Sequence, residues 1–370
     1  MVSISNNVYI NQPPVKNIAV NQNEKTQNSF QSANLIDKYL ANLALQNRPV
    51  INTKPIFTPA FDGYNNMLQK DINGNTVQEV KYSKDGNKIT ETNFVRCYDG
   101  SIFNKIMTRD GNKKTMEIDF KDKDGNTLIQ ESRTYEKIDD DTAISTHNGK
   151  EYRISGLKGN ILTIEHDGQK HVVDFDKKIN AETEKITEEK TGNKITPSQK
   201  EFLISRIKNR PGDLILTFDK AIDSMTYLDI ADYEGFYNNR VLKTSPKADS
   251  ALELHELGHG VNDNAAAGKA RWSDNNPEYI SAREQEINNY NNVNKDDDMD
   301  WRMQKFTTCD YFVKDGWSKE AAKQEGADEE FAETYSYINN MDIEDVNYRT
   351  TSLIQFMPKS VAIAYNTFKN

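Results

Sequence analysis

Asx-Gly pairs recur through the first half of the chain, among them Asn73-Gly74, Asp85-Gly86, Asp99-Gly100, Asp110-Gly111, Asp124-Gly125, Asn148-Gly149 and Asp167-Gly168. Asn and Asp tolerate positive φ better than most side chains and Gly has no steric bar to it. Such pairs therefore suit the type I′ turns that join twisted antiparallel strands. Between them run segments of alternating polarity, such as Val77-Gln78-Glu79-Val80-Lys81-Tyr82 and Met116-Glu117-Ile118-Asp119-Phe120, the period of a strand with one wet face. Residues 62–175 are expected to form an antiparallel meander of short, quasi-repeated β-hairpins. Asp122, Asp124 and Asn126 begin a calcium-loop spacing, but the ligand-bearing remainder is missing and turn chemistry accounts for them. His147, His166 and His171 share no metal-ligand spacing and receive no role.

The flanks have a different texture. Residues 1–60 are rich in Asn, Gln, Ser and Pro and are expected to be largely disordered. One short helix there carries Leu35, Ile36, Tyr39, Leu40 and Leu43 on a stripe. Periodicity favours packing on the next domain over an inhibitory or chaperone-binding role. Residues 176–195, charged and Thr-rich, read as a linker. Thr196 and Pro197 then open a helix with Leu203, Ile204 and Ile207 on one face, closed by Arg210-Pro211-Gly212. Leu214-Ile215-Leu216-Thr217-Phe218 reads as a buried strand. Arg240-Val241-Leu242-Lys243-Thr244 reads as an extended piece leading into a helix, and a strand so placed offers a backbone edge to an extended peptide. The expected fold class is α+β: an N-terminal antiparallel β meander of hairpins, then a mainly helical domain over 196–370 with a small sheet.

Composition narrows the partners. A net charge of −10 argues against general affinity for nucleic acid or anionic membrane. No apolar run reaches the length of a membrane span. Cys97 and Cys309 imply no disulfide framework. The first twenty residues lack the basic start and apolar core of a secretory signal, so export is expected to use a specialised route, with the cytoplasm as the alternative.

The stretch Ser245 to His259 carries chemistry. Only five histidines occur in the chain, and two of them form His255-Glu256-Leu257-Gly258-His259. On a helix, His255 and His259 lie one turn apart and can grip one metal ion. Glu256 sits about 100° round and can act on a metal-bound water as a general base. Ser245 suits the N-cap, Pro246 the first helical position, and Leu254, Leu257 and Val261 the buried face opposite the metal.

A catalytic zinc keeps three protein ligands and a water, so a third ligand is required. In Gly326-Ala327-Asp328-Glu329-Glu330-Phe331-Ala332-Glu333-Thr334-Tyr335-Ser336-Tyr337-Ile338, a helix places Glu329, Ala332, Glu333 and Ser336 on one face and Phe331, Tyr335 and Ile338 on the other. Glu329 is the leading candidate, with Glu333 one turn on as a hydrogen-bond partner for a ligating His. Asp328, Glu329 and Glu330 also read as an acidic first turn that complements the helix dipole. Glu284 and Glu286 are rival ligands, and Asp296-Asp297-Asp298-Met299-Asp300 reads as a solvated loop.

These residues resemble the catalytic domain of the anthrax lethal factor-like zinc peptidases, gluzincins that include the secreted Pro-Pro endopeptidases. The likeness rests on His255-Glu256-Leu257-Gly258-His259 followed by Asp263, on Glu329-Glu330-Phe331-Ala332-Glu333-Thr334-Tyr335, and on the closing segment Leu353-Ile354-Gln355-Phe356-Met357-Pro358-Lys359-Ser360. It covers about residues 196–370 and leaves the hairpin region without a counterpart. The resemblance implies a zincin-type metallopeptidase domain, Zn2+ held by His255, His259 and Glu329, Glu256 as base, and a protein or peptide substrate. It also implies an exported, toxin-like protease. The family places an oxyanion-steadying Tyr seven residues before the ligand Glu. Ala322 stands there in this chain, leaving Tyr311 or Tyr237 to substitute. The alternative expectation is a binding protein on an impaired peptidase scaffold, with the hairpin domain recognising a partner. Residues 1–60 would restrain the peptidase in a third.

Overall fold

The computed structural model describes residues 54–184, 193–229, 235–265, 271–293, 316–343 and 348–369. The helix expected around residues 35–43, the acidic run 296–300 and Tyr311 lie outside the described residues. Strands β1 (Ile56–Phe61), β2 (Tyr64–Lys70), β3 (Thr76–Asp85), β4 (Lys88–Arg96), β5 (Ile102–Asp110) and β6 (Lys113–Lys121) begin one antiparallel sheet. It continues through β7 (Thr127–Lys137), β8 (Thr142–His147), β9 (Lys150–Ser155), β10 (Ile161–His166) and β11 (Gln169–Asp174), with the spatial order following the chain order. The meander thus starts at Ile56, inside the segment expected to be disordered, because β1 finds a backbone partner in β2.

These seven Asx-Gly pairs sort into three chemistries rather than one. At Asn148-Gly149 and Asp167-Gly168 both central residues have positive φ, the type I′ geometry. At Asp85-Gly86 and Asp110-Gly111 the Asp closes the strand pair, and only the Gly of the following Gly-Asn pair has positive φ. Gly74, Gly100 and Gly125 instead end three-residue loops closed by Asp71 to Asn75, Cys97 to Ser101 and Asp122 to Asn126. Each has positive φ at the position where such a loop needs it. The Asp122 side chain accepts from the amides of Asp124 and Asn126, so its oxygens serve the turn.

Repeated hairpins of similar sequence invite register slips, and cross-strand side-chain ladders oppose them. On the outer face Asp85, Lys88, Asp110, Lys113 and Glu136 stand opposite one another across five strands with alternating sign. Beside them runs a rank of Thr90, Thr108, Thr115, Thr134 and Thr146. A shift of one residue would turn the whole inner set, including Val95, Phe103, Met116, Phe120 and Ile129, towards water.

Helices α1 (Phe175–Lys178), α2 (Pro197–Lys208) and α3 (Gly212–Ala221) follow. A three-stranded sheet comes next: β12 (Ser224–Tyr227), β13 (Gly235–Asn238) and β14 (Val241–Thr244), with β14 in the middle. Then come α4 (Ser250–Ala265), α5 (Trp272–Asn275), α6 (Pro277–Val293), α7 (Lys319–Asn339), α8 (Tyr348–Phe356) and α9 (Pro358–Phe368). None of the described helices is long and apolar enough to cross a membrane. The overall class is α+β, as the residue pattern indicates.

Three local expectations meet the structure differently. Helix α2 carries the full capping box, Thr196 with Gln199 and Pro197 at its first turn. Leu214–Phe218 is not a strand but the middle of α3. Leu214, Ile215 and Phe218 are buried at helical spacing, and Gly212 lets the helix start where a methyl group would lie 2.6 Å from Tyr152. Residues 176–184 are no free linker: Ile179 and Glu184 bridge to Met225 and Leu228 alongside β12, and Phe175 is fully buried.

The helices cover the inner face of the large sheet, and Pro49–Asn370 forms one compact unit with a shared core. Phe103 of β5 packs against Phe120 of β6 and Tyr337 of α7. A charged cluster is sealed in the same layer. Arg133 of β7, 2% exposed, reaches Glu131 at 3.3 Å and Asp213 of α3 at 2.9 Å. His147 contacts both acids, and Tyr365 of α9 donates to Glu131 at 2.5 Å. Burial disfavours charge on His147, yet hydrogen bonds to Asp213 and Glu131 raise its pKa. Burial opposes ionisation of Glu131 and Asp213 too, but His147 and Arg133 together hold both below the ordinary carboxylate range.

Two outcomes follow from this packing. Phe103→Ala should cost about 3–5 kcal/mol in urea unfolding, with β and helical signals lost together because the core is shared. The His147 contribution is complete below 6.5 and is lost as pH rises through its raised folded value. Those of Glu131 and Asp213 are complete above 4.5 and 3.8 and are lost as pH falls through their lowered folded values. Stability from the cluster should therefore peak at about pH 5–6.5. Urea midpoints across the alkaline side should decline less steeply for His147→Asn than for the parent protein.

Candidate metal centre

Helix α4 starts later than the Ser-Pro pair suggests. Asp249 is the cap: its carboxylate accepts from the Leu252 amide at 2.7 Å, and the helix runs from Ser250. Ser245 instead closes a turn, its hydroxyl and carbonyl accepting from the amides of Lys247 and Ala248. An ionised cap facing the first-turn amides outcompetes a hydroxyl one turn upstream. Leu254 and Leu257 are buried as expected, and Val261 is half-buried.

Helix α7 is 21 residues long and is capped by Ser318, whose hydroxyl accepts from Ala321. Asp328, Glu329 and Glu330 therefore lie near its middle, not in a first turn, and the helix-dipole explanation fails. Steps of about 100° send these three consecutive acids to three different partners. Asp328 meets His259, Glu329 meets His255, and Glu330 pairs with Arg283 at 2.8 Å.

The two helices approach through small residues. A methyl group added at Gly258 would lie 2.7 Å from Ala332 Cα, so only glycine allows this separation. It brings one donor atom each from His255, His259 and Glu329 within 4.8 Å of one another. His255 Nε2 and Glu329 Oε2 are 3.2 Å apart. Three donors on a tetrahedral zinc, each at roughly 2.0–2.1 Å, stand roughly 3.4 Å from each other, so the spacing suits such an ion.

Each imidazole is oriented from behind. His255 Nδ1 lies 3.0 Å from Glu333 and His259 Nδ1 lies 2.8 Å from Asp328. A carboxylate at Nδ1 favours the tautomer with the proton there and leaves Nε2 with a lone pair for a metal. Asp328 is held in turn by Asn262 at 2.7 Å and Arg271 at 3.2 Å, while Ser273 bonds Asn262. Burial disfavours a charged His255, yet bonds to Glu329 and Glu333 lift its pKa to about 10. The carboxylates therefore favour positive charge at this point, and the three donors could hold a metal ion. Glu256 is 7% exposed; burial pushes its carboxyl up, partly countered by the two imidazoles and the Tyr237 amide.

The other candidates go elsewhere. Glu284 is half-exposed and pairs with Lys323 at 3.0 Å. Glu286 is buried and accepts from the amides of Lys359 and Ser360 at the start of α9, with burial raising its carboxyl to about 8. Neither shares the cluster formed by the two His. Tyr237 stacks its ring near His259, centroids 6.3 Å apart, but its hydroxyl donates to Asp263 at 2.7 Å. That bond engages the phenol proton and ties β13 to α4. The residue missed from the sequence is Asp328. Its adjacency to Glu329 at one helical step was the available signal, hidden by the acidic-turn explanation.

Comparisons with protein-family models, curated proteins and solved structures find no match. Removing the carboxylate behind His259 should weaken the centre specifically. Asp328→Asn is expected to lower zinc affinity about 10- to 100-fold in competition with a chromophoric chelator.

Proposed function

We propose that the protein is a zinc-dependent endopeptidase. The observation that carries this reading is the convergence of His255, His259 and Glu329 within 4.8 Å, with Glu256 on the next helical step. Two imidazoles and one carboxylate form a donor set of the catalytic zinc type, and each imidazole has its own carboxylate behind it. When bound there, zinc supplies a water acidified towards pKa about 7 and a Lewis acid for the scissile carbonyl.

The chain's own residues do the rest. Glu256 takes the proton of the attacking water on its carboxylate and returns it to the departing amine. Its burial favours the protonated form that this return requires. Glu333 and Asp328 hold the two rings in the ligating tautomer. The extended segment expected to offer its edge to a peptide, β14, is paired on both sides. The outer position belongs to β13, which among the described residues has β14 as its strand partner and lies against α4. A substrate in extended conformation would add to β13 through main-chain hydrogen bonds.

A binding protein on an impaired scaffold remains the second reading, favoured by Ala322 at the position of the expected Tyr and by the engagement of Tyr237 with Asp263. Peptide-library cleavage separates the two. Glu256→Gln should retain zinc at wild-type stoichiometry while cleavage falls about 10²- to 10⁴-fold. Chelation should abolish cleavage, and one equivalent of zinc restore it. Undiminished cleavage by Glu256→Gln sinks the proposal, and zinc binding without cleavage favours the second reading.

A further inference from the structure

The inner face of the large sheet buries two cations where apolar side chains would suffice for a core. Lys105 of β5 is 1% exposed and Arg133 of β7 is 2% exposed. Burying such groups is costly unless each has a directional partner. Both find one at the same place, the C-terminal end of α7. The Lys105 ammonium donates to the Tyr337 carbonyl and lies 4.7 Å from the centre of the Tyr337 ring. Arg133 donates to the Asn339 side chain at 2.8 Å. On β6, between them, Lys114 pairs with Asp342 just beyond the helix. Three adjacent strands thus grip one helix end, where last-turn carbonyls lack helical partners and positive charge is favoured.

That end belongs to the helix carrying Glu329. The contact of Gly258 with Ala332, with Tyr335 beside it, permits the close approach of α7 and α4. Away from the ligands, Ser336 bonds the Ala251 carbonyl at 2.5 Å. Asn262 of α4 bonds Asp328 at 2.7 Å, Arg283 of α6 pairs with Glu330 at 2.8 Å and Trp272 packs on Phe331, while the sheet holds the C-terminal end. A helix is a stiff rod, and Tyr337 lies eight residues beyond Glu329, about 12 Å along the axis. A displacement of about 1 Å at the gripped end would reach the metal centre nearly undiminished, enough to spoil a ligand set.

We propose that the eleven-stranded sheet is the positioning platform of the metal centre. Lys105, Arg133 and Lys114, by holding the C-terminal end of α7, set where Glu329 stands opposite His255 and His259. This rests on the reading that those three residues hold a metal. It gives the hairpin region a role within the enzyme, with no separate binding partner required. The three cations are positioning residues: none touches the ligands.

The test uses the full chain and reads metal binding, not activity. Zinc affinity by chelator competition and the visible spectrum of the Co2+-loaded protein are measured for Lys105→Met, Arg133→Met and Lys114→Met, with melting temperature alongside. The control is Met67→Ala, buried on β2 three strands from β5. Lys105→Met and Arg133→Met should bind zinc about tenfold more weakly and shift the Co2+ bands, the lower end of what loss of a supporting bond costs. Met67→Ala should lose melting temperature but keep affinity and spectrum. Lys114 is one-third exposed, so Lys114→Met decides alone if the buried variants do not fold, with a several-fold loss expected. Wild-type affinity in Lys114→Met, or affinity that merely follows melting temperature across all variants, overturns the platform role while leaving the metal centre intact. Failure of the parent protein to bind zinc overturns both.

Discussion

The distance between two helices governs the rest of the molecule. His255 and His259 project from α4 and Glu329 from α7, and these side chains reach a common point only if the backbones nearly touch. Gly258, immediately before the second His, and Ala332, immediately before Glu333, make that approach possible. Glycine is ordinarily a poor choice inside a helix, costing about 1 kcal/mol relative to alanine. Here glycine is what lets the helices come close enough for the three donor groups to converge.

Around that contact, buried charge is arranged pairwise. Glu253 on the far side of α4 is held by Arg206 and Arg210, each at 2.9 Å. Glu330 is held by Arg283, Asp328 by His259, Arg271 and Asn262, and Glu286 by two backbone amides. Glu256 and Glu329 differ: their charge faces imidazoles of the centre itself. An acidic interior is tolerated because almost every carboxylate has a dedicated donor, and the chemistry is proposed to occur at Glu256 and Glu329, beside the two imidazoles.

The sheet solves a separate problem. Hairpins close locally, so their pairing carries little loop entropy, but near-repeated strands can slip. Alternating charges and threonines on the wet face penalise a slip electrostatically and sterically, and the apolar inner set penalises it by exposure. Covered by α7, α8 and α9, the sheet ceases to be a separate domain and shares one core with the helices.

Local chemistry was legible without coordinates. The hairpin turns, the capping box at Thr196, the two His one turn apart and the face of α7 bearing Glu329 all follow from spacing and side-chain preference, which act over a few residues. Two readings that failed, the strand at 214–218 and the described part of the linker at 176–195, were decided by neighbours distant in sequence. Tyr152 against Gly212 and β12 beside Ile179 are such neighbours. Asp249 took the cap by a local competition that composition does not rank. The sequence by itself determined which residues could ligate and which turns could form. Only the tertiary structure decided which of three acids closes on the pair of imidazoles, because that choice depends on helix separation and on where each carboxylate finds its partner across the core.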